Sequence, residues 1–118
     1  MDHTDVGRYW NENAATWTRL ARAGYDTYRD HLNTPAFFAM LPPVTGLHGL
    51  DIGCGEGHNT RLLARHGAQV TAIDISPAML ERAEQSRQTL AATNLAIRWA
   101  DATALPHGEG AFDLVTCR

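Results

Sequence analysis

The segment Leu50-Asp51-Ile52-Gly53-Cys54-Gly55-Glu56-Gly57 sets glycine at alternate positions after a short apolar run. Side chains at such positions would keep a ligand away from the backbone, and a turn of this kind visits dihedrals that a Cβ disfavours. Two further acids, Asp74 and Asp101, each close a later apolar run. A carboxylate at Asp74 can accept both hydroxyls of a ribose. One at Asp101 can accept from an adenine amino group while the N–H of Ala102 donates to a ring nitrogen. Taken singly, the glycines could serve a tight turn and each acid could cap a helix or lie solvated in a loop. In succession, at the carboxyl ends of strands, they point to a bound adenosine.

The spacing narrows the kind of adenosine. A dinucleotide fingerprint reads G-x-G-x-x-G and offers a free helix N-terminus to a pyrophosphate. Here the order is G-x-G-x-G, and His58 stands where the last glycine of that fingerprint would be. Asp51, two residues before Gly53, would oppose a phosphate but could face an ammonium. S-adenosyl-L-methionine carries an ammonium and no phosphate, so an NAD-binding oxidoreductase fragment is disfavoured. Cys54 has no base beside it to make it a nucleophile, and the six His show no metal-ligand spacing, so no metal is expected. His58 could act as a base, but it is expected to be a solvent-exposed residue at a helix start.

These residues need a scaffold of alternating strands and helices. Apolar runs predict strands at Leu47 to Ile52, Gln69 to Asp74, Ala96 to Ala100 and Ala111 to Cys117, the last with Phe112, Leu114 and Val115 as buried residues. Between them a helix is expected from His58 to His66, capped by Gly67. A second should start at Ser76-Pro77 and turn Met79, Leu80, Ala83 and Leu90 to a core. The pattern is a Rossmann-like α/β fold, a doubly wound parallel sheet. Residues 1–46 read as an N-terminal helical cap and 47–118 as the cofactor-binding region. In the cap, Trp10, Ala14, Trp17 and Ala21 recur at helical spacing before Gly24. Tyr25 to Leu32 is a weaker helical stretch, and Thr34-Pro35 reads as a cap and first turn of a short helix closed by Pro42-Pro43.

At these motifs the sequence resembles the class I S-adenosylmethionine-dependent methyltransferases, most closely the small-molecule group that includes quinone-biosynthesis enzymes. Leu50 to Gly57 resembles the family's first motif and Ala72-Ile73-Asp74-Ile75-Ser76-Pro77-Ala78-Met79-Leu80 its second. Asp101-Ala102 and Phe112-Asp113-Leu114-Val115 resemble the third and fourth. The resemblance implies that Gly53 and Gly55, with Cys54 and Gly57 in the same loop, pass the methionine part, and that Asp74 holds the ribose. It implies that Ile75 and Met79 sandwich the adenine and that Asp101 and Ala102 read its edge. His107 departs from the family, which has an aromatic after Leu-Pro in that loop. Trp17, Tyr25, Tyr28 and Arg29 precede the first strand as cofactor-covering residues do in similar proteins. Trp17 is more simply a core residue and Arg29 a solvated charge.

Composition agrees with one soluble domain. The 118 residues are 44% hydrophobic and 19% charged with a formal net charge of -3, and no Lys or Arg run could follow a phosphate backbone, so no nucleic-acid partner is expected. No apolar stretch approaches a membrane span, the start lacks the pattern of a secretion signal, and two widely separated cysteines suit reduced thiols. A cytoplasmic protein is expected. The expected activity is methyl transfer to a small-molecule acceptor by direct displacement, with cofactor residues assigned but no catalytic residue. A non-catalytic S-adenosylmethionine-binding module is the alternative. Because the family's fold has further strands after the fourth, the chain reads as truncated, and its fourth strand is expected to be an apolar edge that promotes self-association.

Overall fold

The computed structural model describes residues 2–118 and, of Thr4, the backbone alone. Met1, where the expected cap begins, lies outside the described residues. Four strands, β1 (His48–Ile52), β2 (Gln69–Asp74), β3 (Leu95–Trp99) and β4 (Leu114–Cys117), pair in parallel in the order β3-β2-β1-β4. The chain builds outward from β1 to β3 and then returns to the other side of β1. That reversal opens a crevice above the carboxyl ends of β1 and β4, where ligands of such sheets bind. Register puts Asp51 of β1 between Ala72 and Thr116, and Asp74 opposite Trp99.

Alternation along the strands divides the core in two. Val70 and Ala72 join Val44, Leu63, Ala68 and Leu95 in one cluster, while Leu50, Ile73 and Ala100 form another. Burying side chains the size of Leu63 and Ile73 stabilises the fold by about 1.5–3 kcal/mol each.

Four α-helices flank or cap the sheet: α1 (His3–Arg22), α2 (Thr34–Met40), α3 (His58–Arg65) and α4 (Pro77–Leu90). Their ends follow the expected chemistry where it is local. Ser76 Oγ accepts from Met79 N at 3.2 Å at the start of α4. Gly67, at φ 92°, closes α3, with its N–H on Ala64 O at 3.0 Å and that of Ala68 on Leu63 O at 3.3 Å.

Several expectations are corrected. α1 begins at His3, well before Trp10, and its buried stripe is Gly7, Ala14, Thr18 and Ala21. Small residues let α1 lie close on α4. A Cβ on Gly7 would already stand 3.4 Å from Ile75. Trp10 and Trp17 fall on the adjoining face and are 39% and 46% exposed, so Trp17 is not a core residue. The weak stretch after Tyr25 holds a π-helical segment, Arg29–Asn33, which runs directly into α2. Thr34 is therefore inside a helical run and makes no cap. Leu90 of α4 is 48% exposed, beyond the reach of the sheet. β3 is displaced one residue toward its N-terminus, and β4 is shorter than expected. Among the described residues β4 pairs with β1 alone, as an edge strand, and its Val115 is 57% exposed. Among the described residues, no helix is long and apolar enough to cross a membrane.

Candidate functional site

A cleft of about 690 Å³ lies over the carboxyl ends of the strands. Gly53, Cys54, Gly55, Asp74, Ile75, Met79, Asp101 and Ala102 all line it, so the structure gathers most of the sequence-predicted residues around one space. The glycine loop leaves β1 and is pinned to β2, since the N–H groups of Gly53 and Cys54 both donate to Ile73 O at 2.9 Å. Gly53 and Gly55 hold φ of 71° and 57°, and a Cβ on either would meet no protein atom within 4 Å. Glycine at these two positions thus serves a left-handed turn and leaves room beside the backbone.

Asp74 organises the loop. Its Oδ2 accepts from Gly55 N and its Oδ1 from Ser76 N, both at 2.9 Å. Each carboxylate oxygen keeps a further acceptor position for a ligand hydroxyl. Asp101 is held by Thr103, whose N–H and hydroxyl donate to Oδ1 at 2.9 and 2.7 Å. These bonds keep its carboxyl below the usual carboxylate range. Its Oδ2 lies 2.9 Å from His3 Nε2, which fastens the start of α1 to the end of β3.

Asp51 and Gly57 do not line the cleft. Asp51 is 3% exposed beneath it, accepting from Thr60 Oγ1 at 2.6 Å and Thr116 Oγ1 at 2.8 Å. Burial pushes its carboxyl up, against the pull of those hydroxyls. Each oxygen thus accepts one bond from the fold, well beneath the cleft surface. Gly57 starts α3 at φ 95°, where a Cβ would come within 3.1 Å of Arg61 Nη1 and 3.5 Å of Ala83 Cβ, so its place is set by packing. The Cys54 thiol is pushed far above its ordinary value by burial and then by Asp74 and Asp51, which keeps it protonated and unreactive.

Other contributions were not visible in the sequence. Glu56, buried in the loop, binds Arg61 at 3.0 Å and Arg22 at 3.2 Å. Arg22 also donates to Arg82 O and Ser86 Oγ, so the loop is moored to α1 and α4 together. Asn11 of α1 accepts from Ser76 Oγ at 2.6 Å and Ala78 N at 3.0 Å, joining the first helix to the start of α4. Trp10 and Trp17 line the cleft from α1 with rings edge to face, centroids 5.4 Å apart. Arg29 also lines it and is not a solvated charge, because Asp30 and the Ala21 carbonyl hold its guanidinium. His58 lines the cleft and is half-buried, not fully solvated. Burial, then the Arg29 charge, lowers its pKa, which leaves the imidazole neutral near pH 7. Tyr25 and Tyr28 are exposed and do not line the cleft. His107 packs on Phe112 away from it.

Residues 50–118 match the model of a family described as methyltransferase domain. The O-methyltransferase cnsE of Penicillium expansum is 34% identical over 93% of this chain and 45% of its own length. A ubiquinone biosynthesis O-methyltransferase of Albidiferax ferrireducens is 40% identical over 65% of this chain and 31% of its own. Among solved structures, the magnesium protoporphyrin IX methyltransferase of Synechocystis, with SAH bound, superposes with a TM-score of 0.77. It is 28% identical, over 98% of this chain and 57% of that one. The chain belongs to the class I S-adenosylmethionine-dependent methyltransferase family. It spans less than half the length of the curated relatives just named.

Proposed function

We propose that the cleft holds S-adenosylmethionine and that the chain supplies the donor-binding region of a methyltransferase acting on a small molecule. The observation that carries this reading is the joint placement of Gly53, Gly55, Asp74 and Asp101 around open space at the switch point of the sheet. The residues suit that donor. Backbone without Cβ atoms leaves room for the methionine part, Asp74 offers acceptors to ribose hydroxyls, and Ile75 and Met79 provide apolar walls for a base. Asp101 remains an acceptor for an adenine amino group if His3 yields or shares Oδ2. A pyrophosphate would meet Asp51 beneath the loop, which disfavours a dinucleotide.

When bound, S-adenosylmethionine supplies a methyl group already activated by the sulfonium charge, so no covalent nucleophile is needed. The chain's own residues bind, orient and exclude water. Trp10 and Trp17 extend α1 over the cleft and limit its access to solvent. The relatives' names, a ubiquinone biosynthesis enzyme among them, support a small-molecule acceptor.

Calorimetry with S-adenosylhomocysteine and with NAD tests the reading. Heat from the first and none from the second is expected, and the reverse would sink it. A second expectation concerns Gly55→Val. The side chain would enter the space beside the loop, so affinity for S-adenosylhomocysteine should fall about tenfold or more, while the strained dihedral lowers stability by about 1–2 kcal/mol. A lowered melting temperature with unchanged affinity would assign the glycine to the fold alone.

The reading extends to a cytoplasmic setting, supported by two free cysteines, and to self-association through β4, supported by its exposed Val115 and its single pairing partner. Light scattering should show concentration-dependent dimers. A monomer at all concentrations would remove that part.

A further inference from the structure

We propose that Arg118 is a carboxylate-binding residue of the cleft, a role that rests on the reading of the cleft as a methyl-donor site. Four guanidinium groups stand in or beside the glycine loop and the cleft, and three are held in ion pairs. Arg22 and Arg61 share Glu56, and Arg29 is paired with Asp30. Arg118 lines the cleft, and among the described residues no carboxylate forms an ion pair with it.

Its contacts orient it without cancelling its charge. Nη1 donates to Asn59 Oδ1 at 3.1 Å and Thr34 Oγ1 at 3.3 Å, both neutral, and the guanidinium lies 4.8 Å from the Phe37 ring centroid. Asp51 feels its charge from beneath, but the hydrogen bonds of that carboxylate come from Thr60 and Thr116, and those of Arg118 go to Thr34 and Asn59. Among the described residues only Nη1 has protein acceptors, so the remaining donors are free for an anion. A planar, pre-oriented guanidinium with unused donors matches a carboxylate in two-point contact.

Charge along the cleft supports the same assignment. Asp74 and Asp101 give one part of it acceptors suited to hydroxyl and amino groups, whereas Arg118 adds a cation with no ion-pair partner among the described residues. A ligand spanning them should carry neutral donors toward the acids and an anion toward Arg118. Two sources fit: the amino-acid carboxylate of the methyl donor, and an acid group on the acceptor.

Calorimetry on the full chain, as wild type, Arg118→Gln and Arg118→Lys, separates them. The probes are S-adenosylhomocysteine, methylthioadenosine, which lacks the amino-acid carboxylate, and benzoate against benzamide on the S-adenosylhomocysteine-loaded protein. Arg118→Gln is expected to weaken one carboxylate probe about tenfold or more and to leave methylthioadenosine within about twofold, with Lys restoring part of the loss. Loss on S-adenosylhomocysteine identifies the donor's carboxylate, and loss on benzoate alone identifies an acidic acceptor. Unchanged affinity for both carboxylate probes, or an equal loss on methylthioadenosine, overturns the role. Wild-type protein that binds neither adenosine probe would overturn the donor-site reading itself, and this proposal with it.

Discussion

Asp74→Ala is expected to weaken S-adenosylhomocysteine binding by about 2–4 kcal/mol, or roughly 30-fold to 900-fold, by removing charge-assisted hydrogen bonds to two ribose hydroxyls. The structure gives this substitution a second consequence. The carboxylate is also the acceptor for the N–H groups of Gly55 and Ser76, so its loss frees the glycine loop and the turn into α4 at once. Both effects act in the same direction on affinity, because a loop that must be ordered on binding lowers it further. Asp74→Asn helps to separate them. The amide keeps one acceptor oxygen for a backbone N–H but presents an NH2 group to the other, so it should recover little of the binding. Calorimetry reads the affinities, and thermal melting reports whether the fold survives. Affinity equal to wild type in a folded Asp74→Ala variant would mean that the ribose is not held here.

The parts of this site that were legible in the sequence are those set by neighbouring residues. β2 runs from Gln69 to Asp74 as expected, because a β-branched apolar run bounded by Gly67 and Ser76-Pro77 has few other conformations. The glycine loop announced itself through residues that only a special backbone requires. α1 was legible only in its middle. Its first turns contain His3, Asp5, Gly7 and Arg8, and their helical state rests on close packing of Gly7 against Ile75 and on contacts from His3 to Asp101 and from Asn11 to Ser76. Hydrophobic spacing also misled for Trp10 and Trp17, because the buried stripe of α1 is made of small residues whose burial depends on a partner helix. The mooring of Glu56 by Arg22 gives no local signal, since Arg22 is 34 positions away. For Asp51 the residue type was read as suited to an ammonium. Only the fold shows that each of its oxygens accepts a hydroxyl, from Thr60 and from Thr116.

Asp51 should therefore declare itself in stability. It joins β1 to α3 through Thr60 and to β4 through Thr116, each by a short hydrogen bond. Asp51→Ala leaves two hydroxyls in the interior without their acceptor. Each unsatisfied group costs about 1–3 kcal/mol, partly offset because no carboxylate then has to be buried, so a net loss of about 2–3 kcal/mol is expected. Asp51→Asn isolates the charge. Burial raises the folded carboxyl above its ordinary value of 3.8. A group with a raised folded pKa holds its proton in the folded state after the unfolded chain has released it. Its contribution to stability is complete below 3.8 and is lost as pH rises through the folded value. The amide has no such titration. The melting temperature of wild type minus that of Asp51→Asn should accordingly fall as pH rises from 3.8 and level off once the folded carboxyl is ionised. A difference that is flat with pH would show that the hydroxyls of Thr60 and Thr116 balance the burial of the charge, and one that grows would show that they outweigh it. Combining Asp51→Ala with Thr116→Val completes the argument. The second change removes a hydroxyl that the first has orphaned, so the double variant should be less destabilised than the two single losses added together.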